Sequence, residues 1–124
     1  MFLDSLTYEL KAIPGRSTIH CLELKGFLYA GTLNKLSEAF QSLPPSANRL
    51  IVDLNQVSYV STGAWSRILE LQQRLKNAGG KVVLYGLKPE VQDGFDFMEL
   101  GHSLEACVGK EEAMKNQLVP LSRS

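Results

Sequence analysis

Two hydroxyls and a glycine stand together where an apolar, strand-like segment gives way to a helix-like one. Ser61, Thr62 and Gly63 follow the apolar run at residues 50–54 and precede a helical pattern that begins near Trp65. A hydroxyl in this place can cap the helix by accepting a hydrogen bond from a backbone N–H. It can also carry a phosphate, because the start of a helix tolerates negative charge. Ser61 and Thr62 are therefore the first candidates for a functional role.

Nucleophilic catalysis by these hydroxyls is not supported by the rest of the sequence. A serine or threonine nucleophile needs a base within hydrogen-bond reach. The two histidines are His20, in a predicted strand, and His102, in a predicted loop, and neither can be placed near Thr62. The chain also lacks the glycine-rich phosphate-binding motifs and the nucleophile elbow of hydrolases. We therefore predict no catalytic residues and expect the protein to act by binding.

Alternating apolar segments predict the elements that position the hydroxyls. Strands are expected at residues 7–13, 17–24, 49–54, 81–85 and 104–108, with a Pro14-Gly15 turn in the first pair and a loop at 26–31. Helices are expected between them, capped by Thr32 in the first case and begun by Pro89 in the third, with a last one at 111–118. This order predicts one α/β domain with an N-terminal hairpin, a mostly parallel sheet and about four helices. Its core covers about residues 7–115, and a loose tail is expected at 119–124.

An apolar stripe defines the buried face of the helix that follows the hydroxyls. Its members recur at helical spacing: Trp65, Ile68, Leu71, Leu75 and Ala78. The position of Trp65 at the start of the helix leaves two interpretations open. Its side chain either packs in the core or forms a large exposed anchor for a partner.

Composition limits the classes of partner and cofactor. The 13 basic and 13 acidic residues cancel, whereas nucleic acid or an anionic membrane would favour a basic excess. No apolar run is long enough to span a membrane, and the N-terminus lacks a secretory signal, so a cytoplasmic location is expected. Cys21 and Cys107 are expected to be buried and reduced. The histidines have no ligand-like spacing, so no metal or other cofactor is expected.

The central stretch resembles a known family. Residues 50–64, LIVDLNQVSYVSTGA, are similar to the core segment of STAS domains, the bacterial anti-sigma factor antagonists and their relatives. In that family a strand of this type runs into a hydroxyl-bearing motif and then a long helix. The KGFL segment at 25–28 and the segment at 77–86 also fit the family pattern. The resemblance extends over roughly residues 8–113.

The resemblance implies a signalling switch. Family members bind a serine kinase of the anti-sigma type, which phosphorylates the hydroxyl in the motif and so changes the complex. The alignment puts Thr62 at the phosphorylated position, with Ser61 as the second choice. Ser61 and Tyr29 each stand where the family carries an aspartate. The implied partner-binding residues are Gly26, Leu28, Tyr29, Thr32, Ser61, Thr62, Gly63, Ser66, Arg67 and Glu70.

The same resemblance leaves a second function open. Some small STAS proteins are adapter subunits of lipid-type ABC transport complexes, in which a threonine of a similar motif contacts the ATPase subunit. Thr62 would then be a direct contact that needs no phosphate. Binding of a nucleotide by the domain itself has also been associated with the family, and no residue of this sequence supports it independently.

Overall fold

The computed structural model describes residues 5–118, and one mixed β-sheet dominates this part of the chain. The described strands are β1 (Leu6–Ile13), β2 (Arg16–Leu28), β3 (Arg49–Val60), β4 (Lys81–Tyr85) and β5 (Glu105–Cys107). They lie in the order β1-β2-β3-β4-β5, and only the β1–β2 pair is antiparallel. The α/β class, the N-terminal hairpin and the mostly parallel pairing predicted from the sequence are confirmed. The expected tail at 119–124 lies outside the described residues.

Four α-helices connect or follow these strands within residues 5–118. They are α1 (Leu33–Gln41), α2 (Thr62–Asn77), α3 (Pro89–Phe97) and α4 (Lys110–Leu118). Short 3₁₀ turns precede α1 and follow α3. Pro89 occupies the first turn of α3, as predicted, because proline needs no N–H partner there. No helix in the described range is long and apolar enough to cross a membrane.

Strands β2 and β3 are longer than the sequence predicted, and they stay paired with each other as far as Leu28 and Val60. The prediction that a loop begins at residue 26 was wrong, because Gly26, Phe27 and Leu28 continue β2. Gly26 has a φ of +128°, and a side chain there would overlap the carbonyl oxygen of Ser5. Glycine therefore lets the strand pass through an irregularity that other residues would not tolerate. The extension carries β3 to the start of α2.

Two hydrophobic clusters fill the faces of the sheet. The larger one packs α1, α2 and α3 against one face, with Leu22, Leu50 and Leu84 fully buried in the strands. The smaller one packs Ala113 of α4 against residues of the opposite face, including Cys21. Burial raises the pKa of the Cys21 thiol. Cys21 and Cys107 are both buried and unpaired, as expected from the sequence.

The end of α2 is a glycine cap. Gly79 has a φ of +85° and its N–H donates to the Lys76 carbonyl, while the Gly80 N–H donates to the Leu75 carbonyl. This pair of bonds is the Schellman arrangement, which turns the chain sharply out of a helix. Ala78 was expected in the apolar stripe but is exposed at this cap, because the helix ends before it.

We expect Gly80→Ala and Gly94→Ala to change the stability in opposite directions. A Cβ on Gly80 would overlap the backbone carbonyl of Asn48, and this should lower the free energy of unfolding by about 2–3 kcal/mol. A Cβ on Gly94, inside α3, meets no atom within 4 Å. Since alanine favours a helix, Gly94→Ala should raise the same free energy by about 0.5–1 kcal/mol. Urea unfolding of both variants measures the effects, and equal shifts would contradict this account.

Candidate interaction surface at the start of helix α2

Ser61 and Thr62 have different environments at the start of α2. Ser61 is the N-cap: its hydroxyl accepts a hydrogen bond from the Ala64 N–H (3.1 Å), and its side chain is half-buried. Thr62 is the first helical residue and is exposed. Within residues 5–118, no acceptor lies on the N–H groups of Thr62 or Gly63. The exposed hydroxyl thus stands beside two free donors at the positive end of a 16-residue helix.

The segment after β2 lies against this junction. The Ser61 N–H donates to the Leu28 carbonyl at 2.8 Å and joins the two segments directly. The Thr32 hydroxyl donates to the Phe27 carbonyl at 2.6 Å and accepts from the Tyr29 N–H at 3.1 Å. Thr32 therefore fixes the conformation of the segment rather than capping α1 through its side chain, which was the predicted role.

The outer face of α2 continues the surface away from the junction. Ser66 and Glu70 are exposed and lie one turn apart on the helix. Arg67 is half-buried, because its guanidinium donates to the Ser37 hydroxyl of α1. These residues form a polar strip that begins at Thr62.

A groove between α1 and α2 borders this strip. It has a volume of about 300 Å³, and its lining includes the side chains of Phe40 and Leu71 with Arg67, Glu70 and Arg74. One guanidinium N–H of Arg74 donates to the Phe40 carbonyl at 3.3 Å. Both arginines are therefore held by contacts to α1. This groove was not predicted from the sequence, because it depends on how two helices pack.

Trp65 is a core residue and not an exposed anchor. Only 1% of its surface is exposed, and its ring meets that of Phe95 edge to face with centroids 5.6 Å apart. The exposed aromatic near the junction is instead Tyr59, with 53% exposure, which was not among the predicted partner-binding residues. Its position two residues after the buried Val57 on a strand would have suggested a core-facing side chain. The register shift in β3 around this point changes that alternation.

The predicted partner-binding residues fall into three groups. The exposed ones are Thr62, Gly63, Ser66 and Glu70, and the half-buried ones are Gly26, Tyr29, Ser61 and Arg67. The remaining two, Leu28 and Thr32, are buried and support the surface from beneath. In this conformation their side chains cannot be reached by a partner.

Asp53 of the family-like motif has a structural role. Its carboxylate accepts bonds from the Tyr85 hydroxyl at 2.8 Å and from the Asn55 N–H at 2.9 Å. Burial and this bond raise the pKa of the Tyr85 hydroxyl far above its usual value. Both oxygens of the Asp53 carboxylate thus accept hydrogen bonds within the domain. No group of three metal-ligating side chains occurs in the described part of the chain.

We expect Ser61→Ala to lower the free energy of unfolding by about 1 kcal/mol, because the Ala64 N–H loses its acceptor. Ser61→Asp should keep the stability of the wild type, since aspartate is also an N-cap residue and suits the helix start. Chemical denaturation of the three proteins is the measurement. An aspartate variant as unstable as the alanine variant would argue against the cap.

Comparison with known proteins identifies the family. The model of the STAS domain matches residues 11–113. This chain belongs to the STAS domain family. No curated protein sequence matches it significantly.

Solved STAS structures share the fold of this domain. An anti-sigma factor antagonist from Mycobacterium paratuberculosis matches with a TM-score of 0.75 at 14% identity, over 94% of this chain and 97% of its own. A protein from Thermotoga maritima, described as an anti-sigma factor antagonist, matches with a TM-score of 0.77 at 14% identity, over 90% and 95%. The antagonist SpoIIAA in its unphosphorylated form matches with a TM-score of 0.68 at 19% identity, over 89% and 95%. At these identities the likeness concerns the fold.

Proposed function

We propose that this STAS domain is a cytoplasmic, non-catalytic regulatory protein that binds a serine kinase or anti-sigma factor and is switched by phosphorylation of Thr62. The observation that carries the proposal is the exposure of the Thr62 hydroxyl at the start of α2, inside the family motif. The protein SpoIIAA, with which the chain shares its fold, has been solved in unphosphorylated and phosphorylated forms.

Thr62 suits phosphorylation better than Ser61 does. A kinase needs free access to the hydroxyl. Ser61 is half-buried, and its hydroxyl already accepts a hydrogen bond from the Ala64 N–H. Thr62 is exposed and does not serve as the cap. A phosphate on Thr62 would keep the helix intact, because the N-terminal dipole and the free N–H groups favour negative charge.

The neutral surroundings of Thr62 would make an added phosphate a large local change. The residues that flank it, Ser61 and Gly63, carry no charge, and the first turn of α2 has no acidic residue. A phosphate brings close to two negative charges into the middle of the candidate surface. A partner that fits the neutral form would then meet an unfavourable, unpaired charge.

Affinity capture from a lysate of the native bacterium tests the proposal. Wild type, Thr62→Glu and Thr62→Val are used as baits, bound proteins are identified by mass spectrometry, and phosphate on the wild-type chain is located by peptide mapping. We expect a serine kinase or anti-sigma factor on the wild type and Thr62→Val, and its loss from Thr62→Glu. Retention of that partner by all three baits, with no phosphate on Thr62, would contradict the switch.

The second candidate is the adapter of an ABC transport complex. It is favoured by the absence of carboxylates at Ser61 and Tyr29, where the family carries aspartates in its phosphorylated members. In this case Thr62 contacts an ATPase subunit directly. The capture would then yield an ABC ATPase with the wild type, and Thr62→Val would weaken it without any phosphate on the chain.

A further inference from the structure

Strand β1 forms one edge of the sheet, and no strand within residues 5–118 pairs with its outer side. The hydrogen bond from the Phe27 N–H to the Ser5 carbonyl fixes which residues bond to β2. Because the register is continuous from Leu6 to Ala12, odd-numbered residues direct their N–H and C=O groups toward β2. Even-numbered residues direct theirs away from the sheet, where they are free to pair with another strand.

An unfavourable charge arrangement lies along the same edge. Glu9 stands directly opposite Glu23 in the β1–β2 register, and like charges opposite each other destabilise a sheet. Lys11 forms an ion pair with both carboxylates: its ammonium is 3.1 Å from Glu23 and 4.0 Å from Glu9. Glu9 is thus the less neutralised of the two, and 65% of its side chain is exposed.

We propose that a second copy of this chain pairs with β1 in antiparallel fashion, with Leu10 opposite Leu10 of the second copy. In this register Glu9 lies opposite Lys11 of the second copy, and Lys11 lies opposite its Glu9. The pairing joins the two sheets across a two-fold axis. Such an arrangement closes after two chains and gives a dimer.

The Leu10-centred register is compatible with the hydrogen-bond pattern, and the charges favour it over its neighbours. With Leu10 at the centre, Tyr8 pairs with Ala12 of the second copy, and both residues have outward N–H and C=O groups. Moving the centre of the pairing by one residue in either direction would place it on Glu9 or on Lys11. Each of these would place like charges directly opposite each other. The Leu10-centred register is the one that brings each Glu9 opposite a Lys11 while pairing outward-directed residues with each other.

The opposite face of the strand adds apolar contact to the pairing. Leu10 is half-buried against the core of its own chain. A second Leu10 beside it would cover part of its remaining surface. The junction at Thr62 lies at the end of β3, and β2 separates β3 from β1. The dimer therefore presents two separate surfaces around Thr62.

Analytical ultracentrifugation of the full chain tests the pairing by charge exchange. A series from about 1 μM to about 1 mM covers the affinities expected of small interfaces. Glu9→Lys and Lys11→Glu should each weaken dimerisation at least about fivefold, since each creates two like-charge pairs across the axis. The double variant should restore the wild-type dimer. A monomer throughout the series, a dimer insensitive to the single changes, or a failure of the double variant to restore it would overturn the proposal.

A backbone change tests the hydrogen bonds separately. Ala12→Pro removes an N–H that points away from β2, so it should abolish the dimer while leaving the melting temperature of the monomer within a few degrees. Ala12→Val keeps the N–H and should keep the dimer. Retention of the wild-type dimer by Ala12→Pro would overturn the pairing.

The monomeric variants should still capture the partner of the Thr62 surface, so failure of the dimer and failure of the proposed function are distinguishable.

Discussion

Thr62→Glu is expected to weaken binding of the regulatory partner by about 100-fold, which corresponds to about 2.7 kcal/mol. The added carboxylate lies on the exposed first residue of α2, beside neutral neighbours, where a docked partner would have to desolvate it. The fold itself should not suffer, because a glutamate is favourable at the start of a helix. Isothermal titration of the partner identified by capture measures the affinity, and thermal unfolding verifies the fold.

Two control variants test whether the effect comes from the position of the charge or from the loss of the hydroxyl. Gln73→Glu adds the same charge to an exposed position of α2 about three turns from Thr62 and should change the affinity less than threefold. Thr62→Val removes the hydroxyl but keeps the shape, so it should bind like the wild type and resist phosphorylation. Equal weakening by Gln73→Glu would assign the effect to net charge. Weak binding by Thr62→Val would favour the direct contact of the adapter function.

Trp65→Ala is expected to lower the free energy of unfolding by about 3–5 kcal/mol, a large part of the 5–15 kcal/mol typical of a domain. The indole is 99% buried where α2 meets α3, and its loss would leave a cavity beside Phe95. The chain has a single tryptophan, so unfolding of this variant should be followed by circular dichroism rather than fluorescence.

Two control substitutions test whether the loss of stability comes from the buried packing of Trp65. Trp65→Phe keeps most of the apolar contact and should lose less than half as much stability as Trp65→Ala. Phe97→Ala, at a side chain that is 88% exposed, should change the stability by less than about 0.5 kcal/mol. If Trp65→Ala were as mild as Phe97→Ala, the indole would have to be exposed in solution.

The order and pairing of the elements could be predicted because each has a local signal. The apolar runs, the Pro14-Gly15 turn and Pro89 at the start of α3 depend on residues close together in the chain, and the structure confirms them. The ends of β2 and β3 could not be predicted in this way. Their last residues are polar or irregular in pattern, and they are strands because each pairs with the other across a long sequence separation.

The candidate site was predictable in position but not in detail. The hydroxyls and the glycine placed the junction, and the family resemblance singled out Thr62. The sequence could not show which hydroxyl caps the helix and which is exposed. This depends on the backbone geometry that brings Ser61, and not Thr62, to the Ala64 N–H. The burial of Thr32 and the groove beside Arg67 likewise arise from contacts between segments far apart in the sequence.

The bonds that hold the Thr32 segment and the two arginines of the groove bear on the kinetics of recognition. Side chains and backbone that are already held lose little freedom when a partner docks, so the surface is suited to nearly rigid association. Among variants of such an interface the association rate changes little, and affinity differences lie mostly in the dissociation rate. A phosphate on Thr62 would then act mainly by shortening the residence time of the partner.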